Sequence, residues 1–388
     1  MKIKYLIKNS RKKNYYNQYL LVESKFKKFQ KKNLSLSVNR VFSLYIRLAL
    51  SETENHVYKN IIQRNNLNFS YTILGTLKQL LIFIFFSLPA RLLQRKKMNI
   101  VSLYIQDISD IFKFYHTRNR IKNLIIEQNT GFILNFFLSI LIKRSKLIKD
   151  LKSSFYVSKK EGLNYLLKNQ DKIESQIKKL LFISDYFLKL TRVNKIITSD
   201  ASSIKSSIIA MSAKKNDIEV HEFFHGYYSG KDLIGVYPTL ANFQYHWTQE
   251  IINSFQKYIP NNFTKKQISF GYPINFIKNS KSKFVLILFP DINYFNKKKI
   301  SKMTNQILKL IKILSRFVNV RVRPHPASRN NVKKKYSKLI TSYGGVLSNK
   351  KSAIDDLKTS MLVLGNSSSV LVTAFNNDIP SLRLKDDD

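Results

Sequence analysis

From residue 284 to residue 384 the chain alternates short apolar runs with longer amphipathic stretches, and few folds accommodate that rhythm. Phe284-Val285-Leu286-Ile287-Leu288-Phe289-Pro290 opens the series as a strand. The stretch 299–317 follows as a helix, with Ile307, Leu308, Ile311, Leu314 and Phe317 on one face. Further strands are expected at 319–323, 345–348, 361–364 and 379–384, and helices at 331–342, 352–359 and 368–376. Regular strand–helix alternation of this kind predicts a doubly wound domain with a parallel sheet.

The same rhythm is present upstream. Strands are expected at 99–105, 195–198, 218–220, 243–248 and 267–273, the last closing in a Gly-x-Pro turn. Helices are expected over Gln176 to Leu190, from a Ser202-Ser203 cap to about Lys214, and from about Glu250 to Tyr258. The polar, basic stretch 275–283 reads as a linker. A length of 388 residues fits two domains, since domains cluster near 100–150 residues. The expected organisation is a basic, mostly helical region over 1–95, an N-terminal α/β domain over 96–274 and a C-terminal one over 284–388. The last strand is followed at once by Lys385-Asp386-Asp387-Asp388, and two-domain α/β chains usually carry more helix there. Either the C-terminal domain is truncated or the N-terminal region supplies the missing layer.

Charge narrows the range of partners. With 67 Lys and Arg against 24 Asp and Glu, the net charge is +43, a field that attracts polyanions. Compositional drift toward lysine accounts for part of that excess but not for the scarcity of acids. Ten glycines and eight prolines are too few for a low-complexity chain. The absence of cysteine excludes disulfides, thiolate metal sites and a cysteine nucleophile. Residues 1–21 lack the continuous apolar core and small-residue cleavage site of a signal peptide. The apolar run Leu80 to Ala90 is about half the roughly 20 residues a spanning helix needs. Followed by Arg91, Arg95, Lys96 and Lys97, it reads as a core helix first and an interfacial segment second. Gly131 to Ile142 is likewise expected in the core.

Three segments past strand ends carry candidate chemistry. In Arg323-Pro324-His325-Pro326 the two prolines restrict the backbone around His325, and Arg321, Arg323 and Arg329 lie close by. A histidine so placed can donate to a phosphate oxygen, or simply cap a turn. Alternation along the strand puts Arg321 and Arg323 on one face. In Gly365-Asn366-Ser367-Ser368-Ser369, small residues at a strand-to-helix junction present backbone N–H groups and hydroxyls to an anion. Ordinary capping by Ser367 or Ser368 is compatible with that role.

The third segment is His221-Glu222-Phe223-Phe224-His225-Gly226. His225 is a candidate general base on an acceptor hydroxyl, with Glu222 competing and a structural histidine as the plain alternative. His-Glu-x-x-His is also the zinc-protease order, but that motif works only on a helix, and here a strand precedes it. Asp200-Ala201-Ser202-Ser203 reads as a helix cap before an acceptor site. The chain has no Gly-x-Gly-x-x-Gly, no Walker lysine motif and, before its last three residues, no Asp-x-Asp. A nucleotide-dependent reaction would then be metal-independent and without a cofactor, with Lys and Arg neutralising phosphate charge.

The series His225-Gly226, Gly271-Tyr272-Pro273, Arg323-Pro324-His325-Pro326 and Ser367-Ser368-Ser369 resembles the GT-B glycosyltransferases of bacterial surface polysaccharides. Among them it looks most like the polysialyltransferase-like, capsule-type and CDP-glycerol glycerophosphotransferase-like enzymes. The resemblance covers roughly 190–384. It implies two Rossmann-like domains facing a cleft, with a nucleotide-activated donor, often CMP- or CDP-linked, held by the C-terminal one. It also implies that His325 contacts the donor phosphate, that Ser368 and Ser369 form the serine pair at a helix start, and that His225 lies on the acceptor side. The acidic-acidic-Gly motif of the polysialyltransferase type has no clear copy here.

The expected activity is therefore transfer of a sugar from a nucleotide donor to a saccharide or lipid-linked acceptor. His225 or Glu222 would be the base, and Arg323, His325, Ser367, Ser368 and Ser369 the donor-phosphate residues. The expected location is the cytoplasmic side, peripheral at the inner face of the membrane and held by its anionic surface, with no nucleic acid bound. Transfer of a polyol phosphate from a CDP donor is the alternative within enzymes. Polyanion or nucleic-acid binding without catalysis is the alternative outside them, and an inactive remnant is a third possibility.

Overall fold

The computed structural model describes residues 20–30, 33–53, 55–64, 81, 98–102, 134, 137–190, 193–198, 203–224, 239–256, 267–270, 284–292, 297–350, 352–366 and 368–384. The chain divides into two compact units. One comprises Met1–Glu54 and Ile61–Gly271, the other Asn55–Asn60 and Tyr272–Asp388. The linker expected at 275–283 lies outside the described residues, as does all of the apolar run 80–90 except Leu81.

The first unit begins with helices. Helix α1 (Leu36–Val41) is capped by Ser35, whose hydroxyl accepts from the Val38 N–H, and α2 (Ser43–Leu50) follows directly. Helix α3 (Asn55–Arg64) is divided, Asn55–Asn60 falling in the second unit and the rest in the first. The run expected in the core at 131–142 does bury Leu134, Leu138 and Ile142, which recur every fourth residue. Ser145 and Ser158 cap α4 (Lys146–Val157) and α5 (Lys159–Lys168), each accepting from a backbone N–H three residues on. Gly162 lets these two helices meet, because a Cβ there would lie 2.1 Å from the fully buried Phe155 ring. Phe155 in turn meets Tyr45 of α2 edge to face. The long α6 (Gln170–Leu190) starts six residues before its expected position because Ile173 already belongs to its apolar stripe, with Ile177, Leu180 and Leu188.

Behind α6 lies a sheet of five parallel strands: β1 (Met98–Ser102), β2 (Val193–Thr198), β3 (Glu219–Phe223), β4 (Phe243–His246) and β5 (Gln267–Ser269). They lie in sequence order, so these strands contain no reversal. Helix α7 (Ile204–Lys215) joins β2 to β3, and α8 (Gln249–Gln256) joins β4 to β5. Ser203 caps α7 as expected, its hydroxyl accepting from the Ser206 N–H. Asp185 on α6 ties the two helices together by accepting from Ser212, from Lys215 Nζ at 2.7 Å and from Asn216 Nδ2 at 3.3 Å.

The second unit follows the expected alternation closely. Its elements are β6 (Phe284–Phe289), α9 (Lys297–Leu314), β7 (Asn319–Pro324), α10 (Arg329–Ser342), β8 (Gly345–Leu347), α11 (Ala353–Leu357), β9 (Ser360–Gly365), α12 (Ser369–Phe375) and β10 (Ser381–Arg383). All five strands are parallel, in the order β10-β9-β6-β7-β8. Every residue of β6 is buried, which a central strand covered on both faces requires. Val285, Ile287 and Phe289 pack with Ile307 and Ile311 of α9, while Leu286 and Leu288 pack with Leu357 and Ala374 on the other side. Each such fully buried aliphatic side chain contributes roughly 1.5–3 kcal/mol. Helix α9 ends at Leu314 and leaves Phe317, expected on its apolar face, 78% exposed beyond it. Gly344 closes α10 at φ 86°, a left-handed cap that favours glycine. The class expected from the sequence, α/β with two parallel, Rossmann-like sheets, is the class observed.

Candidate functional site

In the second unit the chain runs from the central β6 outward to β7 and β8, then crosses back to β9 and β10. The order therefore reverses between β6 and β9. Ligands of open parallel sheets bind outside the carboxyl ends of strands at such a reversal. Three polar residues leave the carboxyl ends of the three central strands: Asp291 two residues beyond β6 and Asn366 one beyond β9, flanking the reversal, and His325 one beyond β7, on the other side of β6.

His325 Nδ1 lies 3.5 Å from Asp291 Oδ2. The acid is 7% exposed and the imidazole 45% exposed, so the carboxylate backs a ring that faces water. The His325 carbonyl accepts from the Ser328 N–H at 3.0 Å, which pins the turn between Pro324 and α10. Nothing in the sequence around Asp291 marks it as a partner of a residue thirty-four positions away. Its place just past an apolar strand was the available signal.

Arg321 and Arg323 do share one face of β7, and both reach the fully buried Asp356 of α11, at 3.1 and 2.6 Å. Ser348 donates to the same carboxylate at 2.5 Å. Arg323, a candidate phosphate ligand by sequence, thus spends its charge on Asp356 and also donates to the Lys350 carbonyl at 3.4 Å. Arg321 stacks over the Phe284 ring, 3.7 Å from its centre. Arg329 Nη2 donates to the Ser348 carbonyl at 3.5 Å.

Ser368 is the N-cap of α12, its hydroxyl accepting from the Val370 N–H at 3.2 Å. Ser369 is the first helical residue, and its carbonyl accepts from Thr373. Both serines are half-buried. Ser367 lies outside the described residues. Gly365 brings β9 close to β6, since a Cβ there would sit 3.0 Å from Leu288 Cβ.

In the first unit, His221 and Glu222 are consecutive residues of β3, not of a helix, so they point to opposite faces of the sheet. His221 Nδ1 is 2.8 Å from the Tyr245 hydroxyl and Nε2 is 3.2 Å from Glu219. Burial holds its pKa below the ordinary histidine value, against the opposing pull of Glu219. Glu219 is shifted down, chiefly by its bond with His221. Glu222 is buried and accepts from Gln244 Nε2 at 2.7 Å and Thr239 at 3.1 Å. His225, Gly226, Asp200 and Ser202 lie outside the described residues. Among the described residues no group of His, Asp and Glu is placed to hold a metal ion. Among them, too, no helix is long and apolar enough to cross a membrane.

No family model and no curated protein matches the chain. Solved structures do resemble it. One is the UDP-GlcNAc 2-epimerase of Rickettsia bellii, with 12% identity, coverage of 74% of this chain and 78% of that one, and a TM-score of 0.43. Another is the Methanocaldococcus jannaschii UDP-GlcNAc 2-epimerase in complex with UDP-GlcNAc and UDP, at 17% identity and TM-score 0.39. That match covers 54% of this chain and 65% of the epimerase, so it spans less than two thirds of the epimerase's length. A third is the lipopolysaccharide outer core galactosyltransferase WaaB, at 13% identity, 55% and 62% coverage and a TM-score of 0.33.

Proposed function

We propose that this protein is a glycosyltransferase using a nucleotide-activated donor, whose phosphate is received at the strand ends of the second unit. The observation that carries this reading is His325, exposed at the carboxyl end of β7 beside the central β6 of a doubly wound sheet and backed by the buried Asp291. An imidazolium at that point neutralises charge that builds on the leaving phosphate, an electrostatic contribution to the transition state. Ser368 and Ser369 extend the phosphate site from the start of α12. Arg323, held by Asp356, acts by shaping the strand that presents His325. The acceptor's base is His225, or Glu222, whose two neutral donors steady a carboxylate.

The acceptor is a saccharide or lipid-linked chain of a surface polysaccharide, and the protein works at an anionic membrane surface. Support for the surface comes from α6, where Phe182 and Tyr186 are 71% and 65% exposed, one turn apart, with Lys178, Lys179 and Lys189 at neighbouring positions of the same helix.

The test is a thermal-shift panel of CMP, CDP, UDP and GDP. One nucleotide should raise the melting temperature of the native chain, and His325→Ala should abolish that rise while melting cooperatively by itself. An equal rise in the variant removes the donor-site assignment. The nucleotide that responds gives the donor class; transfer of a polyol phosphate from a CDP donor is the second reading.

A further inference from the structure

We propose that Asp291 sets the tautomer of His325, so that capture of a phosphate oxygen at Nε2 takes up one proton from solvent. The proposal rests on the donor-phosphate reading above and adds a positioning residue and a proton to it. Asp291 is 7% exposed and its Oδ2 lies 3.5 Å from Nδ1 of His325. A carboxylate at that distance stabilises a proton on the nitrogen facing it. The neutral ring therefore carries its single hydrogen on Nδ1. Nε2 in that tautomer carries a lone pair, which repels a phosphate oxygen. It can donate only after accepting a second proton, and the ring is then a cation between Asp291 and the phosphate. No bond other than N–H forms or breaks, and the proton comes from water or buffer.

The other charged side chains on the elements around β7 are mostly basic. Arg321 and Arg323 are tied to Asp356. Arg329 opens α10 and donates to the Ser348 carbonyl, Lys350 follows β8, and Lys299 and Lys302 lie on α9. A second carboxylate, Asp355, neighbours Asp356 at the start of α11. Those cations favour an anionic ligand whatever the ring's state, but they cannot make its capture depend on a proton. That dependence is specific to an acid behind Nδ1.

Titration calorimetry of the full chain with CDP at pH 8 reads the proton directly, because the observed heat depends on the buffer's ionisation enthalpy when protons move. At this pH the terminal phosphate, whose last pKa is near 6, is ionised. The native chain should take up about one proton per CDP, and its affinity should fall about tenfold per pH unit above the ring's pKa. Asp291→Asn should bind CDP with almost no proton uptake, because an amide N–H facing Nδ1 leaves the ring hydrogen on Nε2. A purely structural role for Asp291 would lower affinity and leave the proton count unchanged, and that result overturns the proposal. Zero uptake in the native chain overturns it without any variant. Nitrogen-15 NMR of the imidazole, with the signal assigned through His325→Ala, supplies an arm that needs no ligand. A neutral native ring protonated on Nε2 sinks the tautomer assignment. Absence of binding by CMP, CDP, UDP and GDP alike, with Nδ1 found protonated, would instead sink the phosphate reading and leave the Asp291–His325 pairing standing.

Discussion

Histidines in this chain differ by what surrounds them. His325 looks into water, whereas His246 on β4 is fully buried, stacked on Phe224 at 4.5 Å, with neither ring nitrogen hydrogen-bonded among the described residues. Burial pushes its pKa down to about 4. In the unfolded chain a histidine titrates near 6.5. Folding therefore favours the neutral ring, and its stabilisation is present above pH 6.5 and is lost as the pH falls toward 4. The loss should follow about 1.4 kcal/mol per pH unit over that window. Replacing His246 with Phe, which keeps the stacking, should flatten the acid side of a stability profile measured by urea unfolding. Parallel profiles for the two proteins would refute this account. His221 has a shift of the same sign, also from burial, and contributes to both profiles.

Between elements, the principal polar tie of the second unit is Asp356. It joins α11 to β7 through two arginines and to the end of β8 through Ser348, with no exposure of its own. Asp356→Ala leaves two guanidinium groups without their anion and should cost about 3–5 kcal/mol, the range for breaking a buried pair from one side. An unfolding free energy from urea titration within about 0.5 kcal/mol of the native chain would show that the arginines find other partners. The elements themselves were largely legible. In the second unit every expected strand and helix is present, with bounds displaced by at most three residues, because apolar periodicity and Ser or Gly punctuation are local properties. Helices α4 and α5 carried no expectation. Their apolar residues are sparse among lysines, and their burial depends on the close approach at Gly162 and on Tyr45, more than a hundred residues away. The residues proposed for the phosphate site follow β7 and open α12, positions that could be read locally for the same reason as the strands. Asp291 was not, because nothing local distinguishes it from a turn acid.

At the scale of the whole molecule, the +43 charge sets long-range behaviour. Each basic residue near an anionic bilayer contributes about 1 kcal/mol, and salt screens that attraction within about 10 Å at 0.1 M. The chain should sediment with vesicles containing phosphatidylglycerol and not with pure phosphatidylcholine, and should be released as salt rises toward about 0.5 M, where the screening length is well under 10 Å. Replacing Phe182 and Tyr186 with Ser removes the apolar part of the contact and should lower vesicle binding severalfold at low salt. Binding that is unchanged in that variant would assign the attraction to charge alone. What the amino-acid order determined by itself is the alternation of strands and helices, the caps and the position of polar residues just past strand ends, since each depends on neighbours within a few residues. What tertiary structure decided is the order of strands in the sheet. That order sets His325 beside Asp291 and Arg323 beside Asp356, pairs separated by more than thirty residues. No local pattern encodes such a pairing, because it depends on which strands lie side by side once both faces of β6 are buried.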